Sequence, residues 1–216
     1  NLLRSDGVKV FAQAGTSINS VIWHCLAEGL TGIEFLTGLP GSVGGAVLMN
    51  AGAFGGEIGD RVTRVSYLDG RGKVIDVDSK SAGFSYRNSI FKAADGIVVG
   101  AEFLLKRGER SEIETKMKEI LAKRIQKQPL EYPSAGSVFV RPKSDFYVGS
   151  TIERLGLKSL RVGGAEVSEK HAGFIVNRGG ACQKDILTLV EIIRKKVEGA
   201  TGVILSTEIE IWKEVE

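Results

Sequence analysis

The sequence has few cysteines and no long apolar run. Its 216 residues include two cysteines, Cys25 and Cys182, too few for the disulfide framework of a small secreted domain, and two lone thiols favour a reducing compartment. No apolar run approaches the ~20 residues that a membrane-spanning helix needs, and no signal peptide is visible. We therefore expect a cytoplasmic protein without a membrane partner.

The charge of the chain is nearly balanced. Twenty-nine Lys and Arg residues against twenty-six Asp and Glu give a net charge of +3. So small an excess does not argue for a nucleic-acid partner, although it suits an anionic substrate. Apolar content of 43% and charged content of 25% are ordinary for a globular protein. The length allows one large domain or two small ones.

Glycine is abundant in residues 38–60, GLPGSVGGAVLMNAGAFGGEIGD. Glycine permits positive φ values and lets a ligand approach backbone N–H groups, and Pro40 fixes φ just before Gly41. Successive N–H groups in such turns can hold an anion, typically a phosphate. The stretch is either a loop that grips the pyrophosphate of a nucleotide cofactor or a set of turns without a ligand. It lacks the strand and acidic residue that accompany the GxGxxG of a Rossmann unit.

The first half of the chain reads as strands and one helix. Residues 8–14 predict a strand, and Thr16 is the expected cap of a helix that Gly29 ends. The runs 62–68 and 73–77 flank a glycine turn and predict a hairpin.

The second half begins with a predicted strand, 97–106, and a domain boundary at Arg107. Ser111 and Glu114 predict a capping box for the next helix. Its apolar face would be Ile113, Met117, Ile120 and Leu121, and its solvated side Lys116, Lys118, Lys123, Arg124 and Lys127. Further on, we predict a strand at 138–140, helices at 149–155 and 185–198, and a final strand at 203–212.

Three polar residues stand in short motifs. Arg87 lies in GFSYRNSIFK, where a partly desolvated guanidinium could bind a carboxylate or could stack on Tyr86 at the surface. Ser137 follows Ala135-Gly136 and could be a proton donor or a turn hydroxyl. Glu208 in the final strand could point at a cleft or at solvent.

These stretches resemble, in the same order, the UDP-N-acetylenolpyruvylglucosamine reductases. The matching segments are GLPGSVGGAVLMNAGA, YRNSIF, AGSVF and the final strand with Glu208, so the resemblance covers nearly the whole chain. It implies an α+β protein with an FAD-binding α+β domain of the vanillyl-alcohol-oxidase-like type in residues 1–106. A smaller α+β substrate-binding domain would follow in residues 107–216, with a last strand that can return to the active-site cleft.

The resemblance also implies a reaction. In the family, NADPH reduces bound FAD, and the flavin passes hydride to UDP-N-acetylglucosamine enolpyruvate, giving UDP-N-acetylmuramate for peptidoglycan precursor synthesis. The implied cofactors are FAD and NADPH, the partner is a UDP-sugar, and a monomer without a metal site is expected. Two alternatives stay open: another FAD-dependent oxidoreductase of the same superfamily, such as an alcohol or sugar oxidase, and a non-catalytic nucleotide-binding fragment.

The family's functional residues map onto positions of this chain. By resemblance, Arg87 stands beside the substrate carboxylate, Ser137 donates a proton and Glu208 is the catalytic glutamate, and all three are expected to meet beside the isoalloxazine ring. The implied cofactor residues are Asn1, Gly38, Pro40, Gly41, Ser42, Gly44, Gly45, Ala46, Asn50, Ala51 and Gly52. The implied substrate residues are Tyr86, Lys127, Arg141 and His171.

The chain departs from the family pattern in three places. In the family, a Gly-x-Gly-Ser turn and a small subdomain precede the Asn-Leu-Leu that here begins at Asn1, so the chain reads as N-terminally truncated. The short connection from Lys92 to the strand at 97 leaves no room for a tyrosine-bearing insertion, as in the shorter form. Many members have lysine at the position of Val140.

Overall fold

The protein, described by a computed structural model over residues 2–212, folds as two compact units. Unit 1 extends to Arg124 and unit 2 begins at Ile125. The division falls inside one helix, whereas the boundary expected from the sequence lies at Arg107. Both units combine helices with antiparallel strands, which gives an α+β protein.

Unit 1 is built on a five-stranded antiparallel sheet of order β1-β2-β8-β6-β7. The strands of the unit are β1 (Leu3–Asp6), β2 (Lys9–Gln13), β3 (Leu30–Thr31), β4 (Gly52–Ala53), β5 (Gly56–Glu57), β6 (Val62–Asp69), β7 (Val74–Asp78), β8 (Gly96–Leu104) and β9 (Lys106–Arg107). Its helices are α1 (Ile18–Ala27), α2 (Val43–Leu48) and α3 (Arg110–Lys127), which continues into unit 2. Apolar residues of the sheet, α1, α2 and α3 form one core.

The hairpin of β6 and β7 confirms the prediction made from its glycine turn. Val65 pairs with Val77, and the strands are antiparallel. In the turn, the Asp69 carboxylate accepts the N–H groups of Arg71 and Lys73, both at 2.9 Å. Gly72 has φ +79°, which favours glycine. Local turn chemistry therefore fixes this pair of strands.

The capping residue of α1 is Ser17, so the prediction of Thr16 is wrong by one position. The Ser17 Oγ accepts the N–H of Ser20 at 3.0 Å. Thr16 is instead buried, with 4% of its surface exposed. As predicted, Gly29 follows the helix with a left-handed backbone, φ +62°.

Three predictions for α3 are also wrong. The helix begins at Arg110, so Ser111 lies inside its first turn and accepts a bond from the Thr115 hydroxyl. Arg124, expected on the solvated side, is only 2% exposed. Ile113 and Met117 are buried as predicted, whereas Leu121 is 39% exposed.

Unit 2 contains a four-stranded antiparallel sheet of order β10-β13-β12-β11. Its strands are β10 (Ser134–Ser137), β11 (Arg161–Val162), β12 (Ala165–Val167) and β13 (Phe174–Asn177), and its helices are α4 (Val148–Arg154) and α5 (Gln183–Thr201). Both helices occupy the predicted positions. The buried face of α5, which includes Leu189 and Ile193, packs in a core with residues of the sheet.

The predicted strand at 203–212 is wrong, because with the other described residues this segment makes only one isolated bridge, between Thr207 and Phe139. Two backbone bonds flank the bridge: Val140 N–H to Ser206 O at 3.0 Å and Glu208 N–H to Val138 O at 2.8 Å. The predicted strand at 138–140 is also wrong, because the strand in this region, β10, lies earlier and ends at Ser137.

Candidate functional site

The glycine stretch is anchored to the start of α1. The N–H of Ile18 donates to Gly41 O at 3.0 Å, and the N–H of Val43 donates to Thr16 O at 2.9 Å. These two bonds form an isolated antiparallel bridge between Ser17 and Ser42, which are the N-caps of α1 and α2. The two helix N-termini therefore lie side by side.

Part of the glycine pattern serves packing. The N–H of Gly44 donates to Ala14 O at 2.9 Å, and the N–H of Gly45 donates to the Ser42 Oγ at 3.3 Å. A Cβ on Gly44 would lie 2.9 Å from the Ala14 Cβ, which is closer than carbon atoms pack. These N–H groups are therefore used within the protein.

Other groups beside these helix starts fit a nucleotide cofactor. Gly41 and Gly45 are exposed, and within residues 2–212 no hydrogen bond uses the N–H of Gly41 or Ser42. The buried Thr16 Oγ1 has no hydrogen-bond partner in the same part of the chain. A buried hydroxyl without a partner is costly unless a ligand satisfies it. The residues present therefore fit FAD, and Thr16 joins the candidate cofactor residues.

The remaining predicted cofactor residues are largely engaged in the fold. Pro40 is exposed and Ala46 is buried on α2. Gly38, with φ +74°, packs against Arg124, whose Nε donates to Thr37 O at 3.0 Å. Asn1 lies outside the described residues.

The segment after α2 is tied together by its own hydrogen bonds. The N–H of Ala51 donates to Ala46 O at 2.8 Å, and the N–H of Ile58 donates to Ala51 O at 2.9 Å. Gly52 pairs with Glu57 in the short β4–β5 hairpin, and Asn50 is 1% exposed.

Arg87 lies at the tip of a tight turn in unit 1. Ser85 and Asn88 exchange two backbone hydrogen bonds of 3.0 Å, which leaves Tyr86 and Arg87 as the two central residues. Arg87 has a left-handed backbone, φ +54°, and its guanidinium lies 5.2 Å from the centroid of the Tyr86 ring. Tyr86 is 40% exposed and Arg87 is half-buried. The stacking that the sequence left as one possibility is present.

In unit 2, Ser137 and Glu208 belong to neighbouring segments. Ser137 ends β10 opposite Phe174, and the next residue, Val138, accepts the N–H of Glu208 at 2.8 Å. Ser137 is exposed and Glu208 half-exposed. Although 71 positions separate them in the chain, the fold brings these two backbone positions together.

His171 lies near the same segments in a structural setting. Its Nδ1 accepts the N–H of Gly173 at 3.1 Å, and its ring meets Phe174 edge-on with centroids 5.0 Å apart. Burial lowers the pKa of the imidazole below its usual value. Because Nδ1 is an acceptor, a neutral His171 carries its proton on Nε2.

Two basic residues expected at the substrate, Lys127 and Arg141, also belong to unit 2. Lys127 is exposed at the end of α3. Arg141 is half-buried, and its guanidinium lies 5.9 Å from the centroid of the Tyr147 ring. Among residues 2–212, no group of three or more His, Cys, Asp or Glu residues could hold a metal ion.

The thiol of Cys25 is unsuited to covalent chemistry. Its side chain is 1% exposed in the core of unit 1. Burial, reinforced by the nearby Glu34 carboxylate, raises the pKa of the thiol to about 12. Because the thiolate is the nucleophilic form, Cys25 is no candidate for a covalent link to a flavin.

Within the part described, no helix is both long enough and apolar enough to cross a membrane.

The two units match two family models. One model, described as "FAD binding domain", matches residues 3–78. Another, described as "UDP-N-acetylenolpyruvoylglucosamine reductase, C-terminal domain", matches residues 128–212. The first covers the glycine stretch, and the second covers Ser137, His171 and Glu208.

Relatives and a solved structure extend the match along the chain. The UDP-N-acetylenolpyruvoylglucosamine reductase of Fervidobacterium nodosum is 49% identical over 209 residues, which are 96% of this chain and 67% of that protein. The reductase of Thermotoga sp. strain RQ2 is 47% identical over 98% of this chain and 70% of its own. The crystal structure of the reductase from Thermus caldophilus has a TM-score of 0.83 at 35% identity, covering 97% of this chain and 74% of its own. The resemblance and the fold class predicted from the sequence are confirmed: the chain belongs to the UDP-N-acetylenolpyruvoylglucosamine reductase family, as an FAD-dependent oxidoreductase.

Proposed function

We propose that the chain uses NADPH and FAD to reduce UDP-N-acetylglucosamine enolpyruvate to UDP-N-acetylmuramate, a peptidoglycan precursor. The observation that carries this proposal is the near-half identity to reductases of this name over 96% of the chain. Both the cofactor segment and the Ser137 and Glu208 segments lie inside that match. A cytoplasmic, monomeric enzyme is part of the same proposal, and the free Cys25 and Cys182 agree with a reducing compartment.

Unit 1 would hold FAD on the paired starts of α1 and α2. The N–H groups of Gly41 and Ser42, which no hydrogen bond uses within residues 2–212, and the Thr16 hydroxyl are the groups available to the cofactor. When bound, FAD supplies the hydride chemistry that no side chain can perform. The protein's part is to bind the cofactor, orient the substrate and handle charge and protons.

Arg87 would supply the cation for the substrate carboxylate. Negative charge develops on the carboxylate side when hydride adds to the enolpyruvyl double bond, and a fixed guanidinium stabilises it. The tight Ser85–Asn88 turn and the Tyr86 ring restrict the Arg87 side chain before substrate arrives. A group already in place loses little energy in reorganising during the reaction.

Ser137 would protonate the substrate carbon, with Glu208 as a second polar group on the neighbouring segment. A serine hydroxyl is a weak acid, so its placement must dominate its contribution. The backbone bonds around Val138 and Phe139 hold both segments in register. The proposed substrate contacts are Tyr86, Lys127, Arg141 and His171. Of these, Lys127 and Arg141 would bind the diphosphate.

The decisive experiment separates the two half-reactions in the FAD-loaded protein. We expect Ser137→Ala to leave bleaching of the flavin absorbance by NADPH nearly intact, because the hydroxyl acts only on the sugar nucleotide. Reoxidation by the enolpyruvyl substrate should slow by about 100-fold or more, the usual loss of a general acid. Stopped-flow absorbance measures both rates.

Ser134→Ala is the matched control, since Ser134 lies on the same strand and its Oγ accepts only a weak 3.4 Å bond from the Gly136 N–H. It should leave both half-reactions unchanged. Equal losses in the two half-reactions of Ser137→Ala would contradict the proton-donor role. Wild-type flavin that reacts rapidly with oxygen and not with the enolpyruvyl substrate would favour an oxidase.

A further inference from the structure

Asn50 occupies an unusual position, where a buried side chain meets a left-handed backbone. It is 1% exposed and has φ +43°. Its Nδ2 donates to the Glu57 Oε2 at 2.7 Å and to the Ser85 carbonyl at 2.9 Å, and its Oδ1 accepts the N–H of Gly59 at 2.9 Å. Both side-chain donors are therefore used within the protein, although the family resemblance implied that Asn50 binds the cofactor.

The bond to Ser85 reaches the turn that carries Arg87. The Ser85 carbonyl also accepts the N–H of Asn88, the bond that closes the turn. A second tie lies next to it, since the buried Ser89 hydroxyl donates to Leu48 O at 2.8 Å. The end of α2 and the segment that follows it thus hold the Arg87 turn at both of its ends, through Leu48 and Asn50.

Packing supports the same contact. A Cβ on Gly59 would lie 2.8 Å from the Phe84 ring, so glycine there lets the chain before the turn lie directly against the cofactor segment. Phe91, just after the turn, is 2% exposed and contacts the Tyr67 ring with centroids 5.3 Å apart. The chain on both sides of the turn is therefore packed against the core of unit 1.

Few residues could replace Asn50. Glycine would accept the backbone but would remove all three side-chain bonds. Aspartate also tolerates the left-handed region, yet it has no donor for Ser85 and would set a carboxylate against Glu57. Asparagine alone combines two donors, an acceptor and tolerance of this backbone.

We propose that Asn50 is a positioning residue for Arg87: it clamps the Ser85–Asn88 turn to the cofactor-binding segment and so presets the guanidinium for the substrate carboxylate. The proposal rests on the proposed function for the role of Arg87, whereas the clamp itself is independent of the reaction. Asn50 touches neither substrate nor reacting atoms.

The test uses the FAD-loaded protein with Asn50→Asp and Asn50→Gly. In both variants, we expect NADPH to bleach the flavin within about twofold of the wild-type rate, because that step does not use Arg87. Reoxidation by the enolpyruvyl substrate should slow by about 10- to 100-fold, the usual cost of a misplaced group. A second readout needs no catalysis: hydrogen exchange in residues 83–92 should become faster.

Asn177→Asp is the matched control. The Asn177 Oδ1 accepts the N–H groups of Gly179 and Ala181 at 2.9 and 3.1 Å, and a carboxylate keeps both bonds, so neither readout should change. Ser89→Ala removes a single tie and provides a milder variant should the Asn50 variants unfold. Ser89→Ala should also make hydrogen exchange in residues 83–92 faster.

Three outcomes are informative. If Asn50→Gly matches the wild-type protein in reoxidation rate and in hydrogen exchange, only the backbone conformation at position 50 matters, and the clamp is overturned. Loss of FAD with equal slowing of both half-reactions would return Asn50 to cofactor binding and would also overturn it. If the unmodified protein fails to turn over the sugar nucleotide, the proposed function fails, and faster exchange in the variants still supports the clamp.

Discussion

Of the four non-glycine residues with left-handed backbones in the described part of the chain, three lie in the glycine stretch or in the Arg87 turn, and the fourth is Ser159 in unit 2. Asn50, Phe54 and Arg87 have φ values of 43°, 49° and 54°. This region costs a residue other than glycine about 1–2 kcal/mol, and such strain is found where a function depends on the placement of a side chain. At Asn50 and Arg87, the strained positions are joined by one hydrogen-bonded path through Ser85.

A second prediction about a single residue concerns Gly44. We expect Gly44→Ala to lower the free energy of unfolding by about 1–3 kcal/mol, as overpacked sites do, because its Cβ would meet the Ala14 Cβ at 2.9 Å. Urea unfolding followed by circular dichroism measures the change.

Gly45→Ala is the control for Gly44. Its nearest neighbour would be the Ser42 Oγ at 3.7 Å, an ordinary contact, and alanine favours a helix by roughly 0.5–1 kcal/mol over glycine. Gly45→Ala should therefore be neutral or stabilising. Equal destabilisation by the two substitutions would argue against close packing of α2 on Ala14.

At the scale of elements, the starts of α1 and α2 form the candidate cofactor site together. Each helix is capped by a serine, and two backbone bonds join them. Two N–H groups expected to face a phosphate are instead used within the protein: that of Gly44 donates to Ala14 O and that of Gly45 donates to the Ser42 Oγ. The cofactor is left with Gly41, Ser42 and Thr16.

The assignment of the α1 cap is testable. Ser17→Ala should lower the free energy of unfolding by about 1 kcal/mol, the usual cost of losing an N-cap. Thr16→Val removes a hydroxyl that has no protein partner among the described residues, so the cofactor-free protein should be unchanged or more stable. Thermal unfolding compares them, and the reverse order of effects would restore Thr16 as the cap.

Local patterns predicted the elements whose causes are local. The β6–β7 hairpin follows from its turn residues, and α5 follows from apolar spacing. Arg124 was misjudged because its burial depends on the distant Thr37 carbonyl and on the Phe54 ring, 5.1 Å from its guanidinium. The alternation in 203–212 suggested a strand, but its partner segment offers only the bridge at Phe139.

At the scale of the whole molecule, the proposed FAD contacts lie in unit 1, whereas the proposed substrate residues are found in both units, with Tyr86 and Arg87 in unit 1. Every proposed FAD contact within residues 2–212 lies in unit 1, and Ser137, Arg141 and Glu208 lie in unit 2. Motif order in the sequence was enough to predict this family. The proximity of Ser137 and Glu208 was expected from the resemblance alone, because it depends on pairing between distant segments that no local pattern predicts.

This division predicts separable effects on binding. Arg141→Gln should raise the KM for the UDP-sugar by roughly tenfold, as loss of a charged hydrogen bond of about 1.5 kcal/mol would do, while the flavin absorbance per protein stays constant. Lys143→Ala, a nearby exposed cation paired with Asp145 at 3.7 Å, should change neither quantity. A loss of bound flavin in Arg141→Gln would contradict the division.

The left-handed backbone of Arg87 has a consequence for protein engineering. Glycine and asparagine suit that conformation better than arginine, but neither carries a cation. A library screened only for heat resistance would therefore enrich these two residues at position 87, and by the role proposed for Arg87 the selected proteins would be stable but inactive. Selection in such a campaign has to include turnover of the sugar nucleotide from its first round.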